Sequence, residues 1–189
     1  MPTATGPRRR LTYDDFLLIP DDGLRHEIID GEHFVTASPA PRHQVLVGRL
    51  YFELESHLRA HPSSGQVFLA PLDVVLSQWD VVEPDLLLIG PDQPEILTAR
   101  NVQGPPILVI EVISPSTRSR DERLKRDLFN RVGVREYWLV DPDTNSVAVH
   151  GRDAGGPFGE AHSLAAAEHE VLTTPLLPGL SIALDALFA

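Results

Sequence analysis

Apolar residues recur along this chain with two periods, and each change of period predicts an element boundary. Thr12 stands as a helix cap ahead of Asp14 and Asp15, predicting a short helix to about Leu18 that buries Tyr13, Phe16 and Leu17. Pro20-Asp21-Asp22-Gly23 ends it with turn residues. The period then falls to two. His26 to Ile29 and Glu32 to Val35 read as a hairpin from Arg25 to Val35, joined by the favoured turn Asp30-Gly31. On that reading Glu27 and Ile29 share one face and Ile28 takes the other. Ser38-Pro39-Ala40-Pro41 breaks the chain. Helical spacing follows from about His43 to Ala60, with Val47, Tyr51, Leu54 and Leu58 opposite Arg49, Glu53, Glu55 and Arg59. His43, at its start, is expected as a cap or a surface residue, with a place supporting the metal-binding acids as the alternative.

Short strands are predicted at Val67 to Leu69 and Val74 to Leu76. Leu86 to Ile89 and Ile107 to Ile113 are apolar without alternation, the pattern of strands in a sheet covered on both faces. Pro115 stops the second, since it cannot extend a ladder. A helix is predicted from about Ser119 to Val132, with Leu124 and Leu128 as an apolar pair beside Phe129 and Gly133 just past its end. Glu136 to Val140 and Val147 to His150 read as antiparallel partners across Asp141-Pro142-Asp143. Gly151 to Gly159 is a loop, and the tail after Pro178-Gly179 holds a last strand and a short helix near Ala186. Residues 1–10 are expected as a disordered basic tail and 11–189 as a single domain without internal repeats.

Composition narrows the function classes. The chain has 189 residues, 42% of them hydrophobic, enough for one sizeable core. It has no cysteine, which excludes disulfides, thiolate zinc sites and cysteine nucleophiles. No run nears the roughly 20 apolar residues of a membrane span, and no signal-type stretch follows Arg8-Arg9-Arg10, so a cytoplasmic chain without membrane contact is expected. The formal net charge of -11 argues against passive binding to nucleic acid. It leaves room for an enzyme with a local basic face. Arg118, Arg120, Arg123, Lys125, Arg126, Arg131 and Arg135 form such a patch, opposed only by Asp121, Glu122 and Asp127.

Two carboxylates sit in or beside the apolar runs, Asp85 after Pro84 and Glu111 in Leu108-Val109-Ile110-Glu111-Val112-Ile113. Burying them is costly unless a cation pairs with them. Phosphodiester hydrolysis asks for a divalent cation, an activated water and a phosphate held in line. Asp85 and Glu111, on neighbouring strands, are the candidate ligands for Mg2+ or Mn2+, with the Val112 carbonyl as a third. Lys125 is the candidate to act on the water, and Arg118, Arg120 and Arg123 are candidate phosphate binders.

Pro84-Asp85, Glu111-Val112-Ile113-Ser114-Pro115-Ser116, Lys125 and Gly133-Val134-Arg135-Glu136-Tyr137-Trp138 together resemble the Uma family of the PD-(D/E)XK nuclease superfamily. The resemblance extends to Leu11-Thr12-Tyr13-Asp14-Asp15-Phe16, to Arg25 through Glu32, and to Pro178-Gly179. It implies an α/β restriction-endonuclease-like sandwich, a central mixed β-sheet flanked by helices. It implies that Asp85 and Glu111 match the superfamily's metal-binding acids and that Glu27 is the additional catalytic acid. The chain departs from the superfamily at Ile113, where a lysine normally follows the glutamate on the same strand. Lys125 on the next helix matches the family's substitute. Phe129 stands where the family often has tyrosine.

The reading is a metal-dependent endonuclease acting on DNA through Glu27, Asp85, Glu111 and Lys125, working as a homodimer because enzymes that cut both strands commonly pair two sites. Two alternatives remain open: a catalytically silent binding or assembly module that keeps the fold, and hydrolysis of a small nucleotide.

Overall fold

In a computed structural model the chain is described over residues 9–62, 65–153 and 155–189. Residues 1–8 of the expected tail lie outside these. Arg9 pairs with Asp15 at 2.8 Å, and Arg10 lies over the Trp79 ring.

Helix α1 (Tyr13–Phe16) opens with the expected Thr12 cap, which exchanges hydrogen bonds with Asp15 in a capping box. It is shorter than its pattern suggested. Leu17 and Leu18 fall beyond it and are 51% and 80% exposed, so Leu17 is not part of the core. The hairpin forms as β1 (Arg25–Ile29) and β2 (Glu32–Thr36), with Ile29 opposite Glu32. Asp30 (φ 52°) and Gly31 (φ 77°) both adopt the positive φ that a two-residue turn of this hand requires. Helix α2 (Pro41–Ala60) starts at Pro41, whose missing N–H costs nothing at a first turn.

Then come β3 (Gln66–Leu69), β4 (Val74–Ser77), β5 (Asp80–Val82), β6 (Leu86–Ile89), β7 (Val102–Gln103) and β8 (Leu108–Val112). The expected helix is continuous from Arg118 to Val132, but in two geometries. Arg120–Lys125 winds as a π-helix, and α3 (Arg126–Val132) completes it. Leu124 is 43% exposed and does not join the core beside Leu128. The chain ends through β9 (Glu136–Asp141), β10 (Ser146–Gly151), β11 (His162–Ala165), β12 (Val171–Leu172), β13 (Ile182–Ala183) and α4 (Leu184–Phe188).

Six strands form the central sheet in the order β11-β10-β9-β8-β6-β3. It is mixed, because β8 and β9 run parallel while the other neighbours run antiparallel. A second sheet, β2-β1-β5-β4-β7, takes in the hairpin. The two-residue period of the central strands then assigns every side chain to a face. Leu108, Ile110 and Val112, with Leu86, Leu88, Trp138 and Val140, pack against α2 and α4. Val109 and Ile113, with Leu87, Ile89, Tyr137 and Leu139, pack against α3 and the second sheet. This explains the unbroken apolar runs of the central strands: both faces of the sheet are covered. Glu111 shares the face of Val109 and Ile113, so it is aimed into the second layer, where Lys125 joins it to Glu27 of β1.

Candidate active site

Four elements converge at that layer. The register of β6 on β8 pairs Leu86 with Ile110, which brings Asp85 beside Glu111 at the strand ends. Period two on β1 sends Glu27 to the side of Ile29, and Arg25 to the same side. The π-turn carries Asp121 and Lys125 inward, four residues apart. All four acids, and the lysine, are at most 2% exposed. A cavity of about 210 Å³ opens above them, lined by Arg25, His43, Asp85, Glu111, Arg120 and Lys125, with Ser114 and Thr117 at one wall.

Each anion has a cation. The Lys125 Nζ donates to Glu111 Oε1 at 2.6 Å and lies 2.7 Å from Glu27 Oε1. It stands 3.9 Å from Asp121 Oδ1. The Glu83 N–H also donates to Glu27 Oε1, at 3.0 Å. Asp85 is held separately. Its Oδ1 accepts from Arg25 at 2.9 Å, and its Oδ2 accepts the Val112 N–H at 2.9 Å with His43 Nε2 at 3.0 Å.

These contacts set the proton affinities. Burial alone would raise Asp85, but the His43 hydrogen bond, the Arg25 charge and the Val112 N–H bring it down to about 2. Burial raises Glu111 well above the ordinary range, and Asp85, Asp121 and Glu27 add to that against the pull of Lys125. Burial would lower Lys125, yet Glu111, Glu27 and Asp121 outweigh it and hold the ammonium charged. The cluster is thus short of positive charge even with its lysine in place.

That imbalance bears on a divalent metal. The donors are hard carboxylate oxygens, as Mg2+ and Mn2+ prefer. Asp85 and Glu111, the two candidate ligands, both line the cavity. The residues therefore fit an oxygen-bound divalent cation. Among the described residues no three His, Asp or Glu side chains already converge on one point as ligands, because protein cations hold the acids.

The arginines divide. Arg120 lines the cavity, donates to Thr36 Oγ1 at 2.7 Å, lies 3.6 Å from Glu27 Oε2, and keeps a buried Nε without a partner. Arg123 is exposed, and its side chain has no hydrogen bond or ion pair among the described residues. Arg118 is engaged elsewhere. It bonds Asp141 in a bidentate pair at 2.7 and 3.1 Å, reaches Asp143 and Glu122 as well, and does not line the cavity. Asp141 ends β9 and Asp143 follows it, neighbours that no local pattern announces.

Sequence reasoning missed Arg25 and Asp121, and held His43 only as an alternative candidate to support the metal-binding acids. His43 is 8% exposed rather than on the surface. A signal existed, since His43 stands four residues before Val47 on the buried stripe of α2. Asp121 likewise stands four residues before Lys125, and Arg25 shares its strand face with Glu27.

Comparisons with known proteins follow the same lines. A family model described as "Uma2: Putative restriction endonuclease" matches residues 13–185. A crystal structure of "a putative nuclease belonging to DUF820 from Anabaena variabilis ATCC 29413" superposes with a TM-score of 0.79 at 19% identity, covering 94% of this chain and 97% of that one. At that identity the likeness concerns the fold. No curated protein matches the chain.

Proposed function

The chain belongs to the Uma2 family, and from that premise we propose that it is a metal-dependent nuclease hydrolysing phosphodiester bonds, with DNA as its substrate. One observation carries the reading. Glu27, Asp85, Glu111 and Lys125 come from four separate elements and form one buried charged cluster under a cavity. Structural ion pairs seldom gather so many acids out of water, because desolvation is costly.

Asp85 and Glu111 are the proposed holders of Mg2+ or Mn2+, assisted by the Val112 carbonyl. When bound, the ion would neutralise developing phosphorane charge and acidify a water. The chain's own residues do the rest. Arg25 and His43 keep Asp85 ionised and fixed in orientation. Lys125 stays protonated, so its proposed role is to orient the attacking water and stabilise negative charge, and not to take the proton. Glu27 is the proposed additional acid, and it holds the ammonium before a metal binds. Arg120, with its free Nε, and Arg123 are the proposed phosphate contacts. A two-fold pair of chains would present one site to each strand.

The test is cleavage of supercoiled plasmid with Mg2+ or Mn2+. Wild type is expected to nick it, and Asp85→Ala and Lys125→Met to lose about 10²-fold or more in rate. Loss in Asp85→Ala alone would remove Lys125 from the mechanism. The buried Ile113 in the superfamily's lysine position favours one other reading, a silent binding module. Absence of both cleavage and calorimetric metal binding would select it.

A further inference from the structure

Lys125 stands among three buried carboxylates and reaches only two of them. Its ammonium touches Glu27 and Glu111, at 2.7 and 2.6 Å. Asp121 Oδ1 lies 3.9 Å away, just beyond hydrogen-bond reach, and is buried without any other partner. Such an orphan acceptor is destabilising, and a small movement would satisfy it. The two residues stand four apart on one π-turn, a geometry frequent at functional sites. A lysine stem has four rotatable carbons, so the ammonium can swing toward Asp121 while its backbone stays still.

The proposed metal supplies a reason for that swing. It would share Glu111 with Lys125, and two cations on one buried carboxylate repel each other strongly at low dielectric. Glu27 would not be abandoned, because the Glu83 N–H at 3.0 Å and the Arg120 guanidinium at 3.6 Å remain beside it. We infer that Lys125 is a mobile ammonium: it neutralises Glu27 and Glu111 in the metal-free protein and moves onto Asp121 when a divalent cation binds. Asp121 is then a positioning residue for Lys125 and not a ligand. The inference rests on the metal-dependent reading above. It has two consequences. Lys125 competes with the metal for its site, and in its second position the ammonium remains at the cavity floor, able to address the water.

A double-mutant cycle on Mn2+ affinity, read by titration calorimetry on the whole chain, tests this without any assay of activity. Lys125→Met is expected to bind Mn2+ about tenfold tighter than wild type, because the competing cation is gone. Asp121→Asn is expected to bind about tenfold weaker, since the displaced ammonium has lost its second position. In the Lys125→Met background, Asp121→Asn should change affinity by no more than about twofold. A full loss persisting in that background would make Asp121 a direct ligand and overturn the inference. So would unchanged affinity in Asp121→Asn alone. Wild type that fails to bind Mn2+ at millimolar concentration would overturn the metal reading itself, and this one with it. Should Asp121→Asn fail to fold, a crystal structure of wild type with Ca2+ decides. Nζ within about 3.2 Å of Asp121 Oδ1 is expected. An ammonium still on both Glu27 and Glu111 beside the bound ion refutes it.

Discussion

Glu83 illustrates how much a single side chain can inherit from its surroundings. It stands two residues before Asp85, half-buried, and its N–H holds Glu27. Burial and the nearby Asp73 carboxylate raise its pKa from 4.5 to about 7, against the opposing charge of Arg25. The folded protein therefore holds a proton that the unfolded chain releases at lower pH. Between the two values the native state binds more protons, so stability falls as pH rises from 4.5 through about 7. Glu83→Gln is expected to flatten that fall and to raise the urea midpoint at pH 8 more than at pH 5. Equal shifts at both values would show that Glu83 is already ionised. His43 and Arg25 make the converse point. They hold Asp85 at about 2, so it stays an anion at any pH where the protein works.

Among the elements, the helix from Arg118 to Val132 carries the most consequence. Its π-turn points Asp121 and Lys125 to the acids, leaves Leu124 in solvent, and separates three arginines with different fates. Arg118→Ala is expected to lower stability by up to about 1 kcal/mol, through loss of its Asp141 pair, with little change in DNA affinity. Arg123→Ala should do the reverse. It should leave the melting temperature alone while weakening DNA binding and reducing the salt dependence by about one counterion. Fluorescence anisotropy across a salt series separates the two. Gly133 ends the helix at φ 97°, where an added Cβ would meet nothing within 4 Å. Gly133→Ala is therefore a pure test of backbone conformation, expected to cost about 1 kcal/mol in urea unfolding.

At the scale of the whole molecule, the charge of -11 and the buried acids point to linkage between cation binding and folding. A cation that binds only the native site stabilises by about 2.7 kcal/mol at a hundred times its dissociation constant. Mn2+ is expected to raise the melting temperature of wild type in a saturable way and to leave Asp85→Ala unmoved. An equal rise in both would mean general screening of surface charge. Among the described residues no helix is long and apolar enough to cross a membrane.

What the sequence determined by itself is local or periodic. The hairpin turn at Asp30-Gly31 and the Thr12 cap are written in the residues that make them, because turn and cap chemistry act over two or three positions. The buried strands were readable because a sheet covered on both faces leaves no polar positions. Glu111 stood out against that background, and its resemblance to a known motif brought in Asp85, Glu27 and Lys125. Which groups would neutralise those acids depended on strand register, helix winding and the layering of two sheets. Asp85 meets Arg25 sixty residues away in the chain, and Arg118 meets Asp141 twenty-three away. A charge's partner depends on distance in space, and chain spacing specifies that distance only within one element. Tertiary structure therefore decided which cations fill the site, which arginines remain free, and which carboxylate oxygens are left without a hydrogen bond.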